Sequence, residues 1–251
     1  MATDNQGALV VPLPTPELHQ ADCLDLLAGE ALPMTPSVTP KVLADDAWLD
    51  ELADTLSEQG WLELDLTHRL PVGLLPALYR EVATLSNTEA MDLAGVGRGA
   101  DLVQDHRVRR DKIAWLEGIT EPQGLLFQTF DTLMAGLNQR LYLGLKRFEA
   151  HYATYQPGDF YKRHVDSFRG RSSRMVSLVI YLNEDWGLED GGELRLFHPE
   201  NDDLPMGLVR PKAGRAVLFL SEEIPHEVLP AKRTRFSIAC WFRRDEIPLP
   251  L

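Results

Sequence analysis

The sequence predicts an α+β protein, mainly β, with helices first and an antiparallel sandwich or jelly roll after them. Three observations carry this. Between residues 45 and 144 apolar residues recur at helical spacing in long runs. From Phe148 onward, short β-rich runs succeed one another with turn signals such as "EDGGE", "RPKAG" and "LPAKR" between them and no helical pattern. The length, 251 residues, exceeds the usual single domain of about 150 but suits one large β domain with an extension.

The elements follow in order. Residues 1–44 carry Pro12, Pro14, Pro16, Pro33, Pro36 and Pro40 with little periodicity, so they are predicted to be a solvated, acidic extension ahead of a domain spanning 45–251. "DDAWLDELADTLSEQG" reads as a helix capped by Asp45 or Asp46, with Trp48, Leu49, Leu52 and Leu56 on one face and Gly60 as its stop. "GWLELDLTH" alternates and reads as a strand; "LPVGLLPALYREVATL" reads as a second helix. The glycines of "MDLAGVGRGADL" lack phosphate-loop spacing and a preceding strand, so a loop is predicted. "RRDKIAWLEG" reads as a strand. The longest helix spans "TEPQGLLFQTFDTLMAGLNQRLYLG", with Thr120 and Gln123 at capping-box spacing and a stripe of Leu126, Phe130, Leu133, Leu137 and Leu141 that packs on a sheet. The core strands are predicted over about 147–243: "FEAHYATY", "MVSLVIYLN", "ELRLF", "RAVLFLS" and "FSIACWF".

Composition narrows the function classes. A formal net charge of −13 disfavours nucleic acid and anionic membrane as main partners. Cys23 and Cys240 are too few and too distant for a disulfide framework or a zinc ribbon. No stretch approaches about 18 consecutive apolar residues, and the expected location is cytoplasmic.

In "FYKRHVDSF", His164 and Asp166 are two apart, so an extended backbone points both side chains to one face. Such a pair is cheap: "HPE" at His198 to Glu200 is another. The rest of the pattern gives it weight. His226 in "IPHEVLP" opens a strand, and Arg235 follows nine residues on, after the turn "LPAKRT". A hairpin of that length predicts two adjacent antiparallel strands, with Arg235, Ser237, Ala239 and Trp241 on one face and Phe236, Ile238 and Cys240 on the other. An arginine aimed into an apolar barrel is costly unless it meets an anion. Two His and one carboxylate leave adjacent metal positions open, the arrangement of non-haem Fe(II) oxygenases, although zinc or manganese suits the same ligands. A 2-oxo dicarboxylate could fill two positions and be gripped at its far end by Arg235 and Tyr181.

These residues, with the motifs "RRDKIAWLEG", "YQPGDFYKRHVD", "IYLNEDW", "DGGELRLF" and "PHEVLPAKRTRFSIACWF", make the chain resemble the 2-oxoglutarate-dependent oxygenases. Within them it is similar to the hypoxia-inducible-factor prolyl hydroxylases and their bacterial relatives, from about Asp105 to Phe242. The "YQPGDFY" turn is one residue shorter than in the animal enzymes, and the Pro-rich extension has no counterpart. The resemblance implies a double-stranded β-helix (jelly-roll) core with N-terminal helices packed on its sheet. It implies Fe(II) held by His164, Asp166 and His226, and 2-oxoglutarate held by Arg235 and Tyr181, with Tyr155 and Tyr161 lining the pocket and Trp241 a wall. It places Arg109, Asp111 and Arg174 near the substrate, on and around a closing segment over 100–115. The implied reaction is 4-hydroxylation of a prolyl residue in a protein, consuming O2 and 2-oxoglutarate and yielding succinate and CO2, with ascorbate as reductant. An acidic peptide is the expected partner, drawn by basic residues near the mouth, and a translation elongation factor is one target. Two alternatives stay open: an oxygenase for a small molecule or free amino acid, and a non-catalytic jelly-roll module that binds a metal or sugar.

Overall fold

The computed structural model describes residues 45–95, 105–167 and 173–245. The Pro-rich extension, most of the glycine-rich stretch, Arg169 and Arg171 lie outside the described residues. Helix α1 (Asp46–Gln59) begins where the Asp45 carboxylate accepts from the Ala47 and Trp48 amides (3.1 and 3.4 Å) and ends at Gly60, whose φ of 76° only a residue without Cβ adopts readily. Strand β1 (Trp61–Asp65) follows directly. Helix α2 (Leu74–Asn87) starts four residues later than the pattern suggested. Gly73 opens it at φ 82°, and Pro76 occupies the first turn, where its missing N–H costs nothing.

Strands β2 (Asp92–Leu93) and β3 (Lys112–Trp115) precede α3 (Glu121–Leu141). Thr120 caps α3 by accepting from the Gln123 amide, but Gln123 does not reciprocate. Its carbonyl accepts from the Glu117 and Gly118 amides, and its NH2 donates to the buried Glu81, which also accepts from Thr120 and Tyr152. Three donors satisfy that carboxylate without a cation, tying both long helices to the sheet.

The remaining strands are β4 (Arg147–Tyr155), β5 (Tyr161–His164), β6 (Arg174–Tyr181), β7 (Leu194–His198), β8 (Asn201–Val209), β9 (Arg215–Leu220), β10 (His226–Val228) and β11 (Arg235–Arg243). They form a seven-stranded sheet in the order β1-β9-β6-β11-β4-β3-β2 and a four-stranded sheet in the order β5-β10-β7-β8, antiparallel throughout. This is the jelly roll expected. Alternation divides β4, β6 and β11 between two cores. Tyr152, Leu178, Ile180, Ile238, Cys240 and Phe242 face the helices, while Ala153, Tyr155 and Tyr181 face the space between the sheets.

Two further sequence expectations change. β8 was unread because Pro205 and Gly207 interrupt "NDDLPMGLV"; it lies at the sheet's edge, where a proline costs no ladder bond. The predicted hairpin between the His226 and Arg235 strands does not form. β10 pairs with β5 and β7 in the smaller sheet, whereas β11 pairs with β4 and β6 in the larger one. The connecting turn crosses the barrel end, so His226 and Arg235 face each other from opposite walls instead of lying on adjacent strands.

Candidate metal and co-substrate site

His164, Asp166 and His226 converge, with one ligand atom from each lying within 4.8 Å of the others. The pairing of β10 with β5 sets His226 directly opposite His164. Each Nδ1 faces a backbone carbonyl two residues back, His164 on Lys162 O at 2.7 Å and His226 on Ile224 O at 3.0 Å. A carbonyl can only accept, so both rings carry hydrogen on Nδ1 and turn the Nε2 lone pair inward. Asp166 Oδ1 lies 3.6 Å from Nε2 of His164 and 3.8 Å from Nε2 of His226, and Ser177 Oγ donates to Oδ2 at 2.7 Å. Tyr161 stacks on His164 at 3.5 Å between ring centroids.

The electrostatics suit a divalent cation. Burial opposes charge on Asp166, but His226, His164 and the Ser177 hydroxyl outweigh it and hold the carboxyl well below the usual range. Burial, then the neighbouring His164, pushes His226 down to about 4, so at neutral pH its lone pair is free to ligate.

Deeper in the barrel, Arg235 is 1% exposed. Its Nε donates to Gly192 O (2.9 Å) and its Nη1 to Ser237 Oγ (3.1 Å), and no carboxylate pairs with it among the described residues. The guanidinium lies 4.8 Å from the Tyr155 ring centroid and 5.1 Å from that of Tyr181. Burial pushes both phenols up, Arg235 opposing it at Tyr181, and the buried Tyr181 hydroxyl has no partner within hydrogen-bond geometry among the described residues. A buried cation and an orphaned hydroxyl together are a receptor for an anion. The local backbone is built around it. Gly192 has a φ of 73°, and a Cβ there would come within 2.8 Å of the Ala231 Cβ and 3.2 Å of the Arg235 Cδ. Asn183 accepts from the Phe236 amide (2.7 Å) and donates back to its carbonyl (2.9 Å), locking the end of β6 against the start of β11.

At the mouth, Arg109 forks onto Asp111, which is fully buried, and its guanidinium lies 4.3 Å above the Tyr161 ring. Segment 108–110 pairs with β5 through the Arg109–Tyr161 bridge and the Arg110–Phe160 and Lys162–Val108 backbone bonds. Asp111 is thus paired within the protein itself, while Arg174 meets Oε1 of Glu149 through Nε and Nη2, Arg243 takes Oε2, and the Arg174 guanidinium lies 3.7 Å over the Trp241 ring. The Trp241 Nε1 is buried without an acceptor. An open groove of about 590 Å³ runs past His164, lined by Lys162, Arg163, Val165, Pro225 and Glu227.

Sequence reading missed Ser177, Asn183 and His151. The first two have no signal beyond their neighbours Tyr181 and Arg235. His151 sits inside β4 between Trp115 and Trp241, each 5.2 Å away by ring centroid. Burial, then Arg109, lowers it to about 4. An unfolded His titrates near 6.5, so the unfolded chain binds the proton first. Stability of the metal-free protein is therefore complete above about pH 6.5 and falls as pH drops toward 4, by up to about 3 kcal/mol from His151. Urea unfolding across that range is expected to lose part of its slope in His151→Leu; an unchanged slope would contradict this assignment.

The fold and the convergent side chains define an iron- and 2-oxo-acid-dependent oxygenase site, and comparison with known proteins agrees. The model of the 2OG-Fe(II) oxygenase superfamily matches residues 150–243. Human prolyl hydroxylase EGLN3 is 32% identical over 205 residues, covering 77% of this chain and 82% of that protein. Human Egl nine homolog 1 is 39% identical over 143 residues, 54% of this chain but 33% of its own length. Among solved structures, a Pseudomonas putida prolyl-4-hydroxylase superposes with a TM-score of 0.70 at 41% identity, covering 78% of this chain and 99% of that one. A Trichoplax adhaerens prolyl hydroxylase in complex with a hypoxia-inducible-factor peptide gives 0.70 at 27% identity, covering 83% and 94%. The chain belongs to the 2OG-Fe(II) oxygenase superfamily, among the relatives of the prolyl hydroxylases. Its cofactor set is accordingly Fe(II), 2-oxoglutarate and O2.

Proposed function

We propose that this protein hydroxylates a prolyl residue of a protein at the 4-position, using Fe(II), O2 and 2-oxoglutarate. The observation that carries the co-substrate is the buried Arg235, which meets no carboxylate among the described residues, beside a Tyr181 hydroxyl that has no hydrogen-bond partner among them. His164, Asp166 and His226 would hold the iron, and their two imidazole nitrogens and one carboxylate oxygen are the donor set such an ion takes. When bound, Fe(II) supplies the redox chemistry by which O2 converts 2-oxoglutarate to succinate and CO2 and places one oxygen atom on the substrate.

The chain's own residues do the positioning. Arg235 and Tyr181 grip the distal carboxylate, and Tyr155, Val179 and Phe219 keep water from the cleft. The Arg109–Asp111 pair holds segment 108–111 along β5 at the rim. We read ascorbate as the reductant and the cytoplasm as the location; among the described residues no helix is long and apolar enough to cross a membrane.

The groove and the paired segment favour a peptide over a free amino acid as substrate. An acidic segment remains our reading of the partner, but the rim is less cationic than the sequence suggests. Among the described residues Arg107, Arg109, Arg163 and Arg174 are each paired with a carboxylate of the protein, which leaves Arg110, Lys112 and Lys162 as the attraction. A translation elongation factor would meet that description. Incubation with Fe(II), 2-oxoglutarate and proline-bearing proteins should give succinate together with a gain of one oxygen on a proline. Turnover confined to free amino acids, or none with any protein, would overturn the reading.

A further inference from the structure

The structure assigns Ser177 and Ser221 a positioning role: together they hold one oxygen of Asp166 away from the metal, so that the carboxylate offers a single ligand atom. This rests on His164, Asp166 and His226 being the metal ligands.

Ser177 lies on β6 opposite Trp241 of β11 and Phe219 of β9, facing the barrel interior. It is 1% exposed and Ser221 is 0% exposed, so water does not compete for their hydroxyls. Ser177 Oγ lies 2.7 Å from Asp166 Oδ2 and 2.8 Å from Ser221 Oγ. Counting protons fixes the direction. Ser177 Oγ is the donor to Asp166 Oδ2, so its one proton is spent there. Ser221 must therefore be the donor in the serine pair. The result is a directed chain, Ser221 to Ser177 to Asp166, in which each bond polarises the next.

The backbone fixes both ends of this chain. The Ser167 amide donates to Ser221 O (3.1 Å) and the Ser221 amide to Met175 O (3.0 Å), so the segment after Asp166, the end of β9 and the start of β6 are stitched together. With Oδ2 held, only Oδ1 faces the imidazole nitrogens, at 3.6 and 3.8 Å. A carboxylate free to swing could ligate through both oxygens and occupy a position that a 2-oxo acid or dioxygen requires. The hydroxyl pair thus guards an open coordination position instead of supplying a ligand.

The test uses Co(II) as probe on the whole protein, with metal affinity and the visible absorption spectrum as readouts. His164→Ala tests the ligand assignment separately: if it binds Co(II) as the wild type does, that assignment fails, whatever the serines do. With that established, Ser177→Ala is expected to bind Co(II) about tenfold more weakly, with an altered spectrum. Ser177→Thr, which keeps the hydroxyl, is expected to restore both. Ser221→Ala should shift the same quantities in the same direction by less, because the direct donor remains. Wild-type affinity and spectrum in Ser177→Ala would overturn the proposal, as would a Thr variant as impaired as the Ala one. Metal-free melting of each variant reports loss of fold, and if Ser177→Ala does not fold, Ser221→Ala decides on the same readouts.

Discussion

Replacing Arg235 by methionine is expected to raise the KM for 2-oxoglutarate by roughly 100- to 1,000-fold while leaving metal binding intact. Both halves of that result follow from where the guanidinium sits. It is buried, hydrogen-bonded to Gly192 O and Ser237 Oγ, and has no carboxylate partner among the described residues. Removing one member of a buried, hydrogen-bonded charge pair costs about 2–5 kcal/mol of binding. That loss appears only when the dicarboxylate arrives, since no carboxylate among the described residues is left stranded. Methionine keeps the stem that packs on Gly192 and discards a charge that burial penalises, which offsets the two lost hydrogen bonds, so the metal-free variant is expected to melt close to the wild type. Steady-state kinetics in 2-oxoglutarate, with a Co(II) titration and a melting curve, check all three points. A wild-type KM would remove Arg235 from the co-substrate site.

The second large effect is expected at His164. His164→Ala should weaken metal binding by more than about 100-fold and reduce 2-oxoglutarate decarboxylation to background, because it removes one of only three ligand atoms. The same variant separates enzyme from binding module. A jelly roll that merely binds a sugar or peptide would keep its ligand, and unchanged decarboxylation would end the oxygenase reading. Turnover restored by added imidazole would strengthen the assignment, since the ring's place is lined by Tyr161 and His226 and left vacant.

Much of this site was legible from side-chain type and spacing. His164 and Asp166 two apart, His226 opening a strand and Arg235 on an alternating apolar strand suffice to propose the metal and the diacid, because strand alternation is a strictly local rule. What failed was pairing. Placing β10 beside β11 applied the hairpin rule to a nine-residue separation that instead crosses from one sheet to the other, and no local signal distinguishes the two. β8 was lost because edge strands tolerate the residues that usually end strands. Ser177 and Asn183 were invisible because their roles depend on partners at sequence separations of 11 and 53 residues. Asp111, expected near the substrate, is completely buried against Arg109 at the rim, a pairing two residues apart that side-chain type alone does not announce.

The two sheets are unequally supported. All three described helices pack on the seven-stranded one, which carries Arg235, Tyr181 and Ser177, while the four-stranded one carries both imidazoles. Asp166 leaves β5 of the thin wall and is caught by a hydroxyl of the thick one. An ion seated among these three ligands would act as a rivet through both plates, so chelation should slacken the barrel as a whole and not merely silence its chemistry.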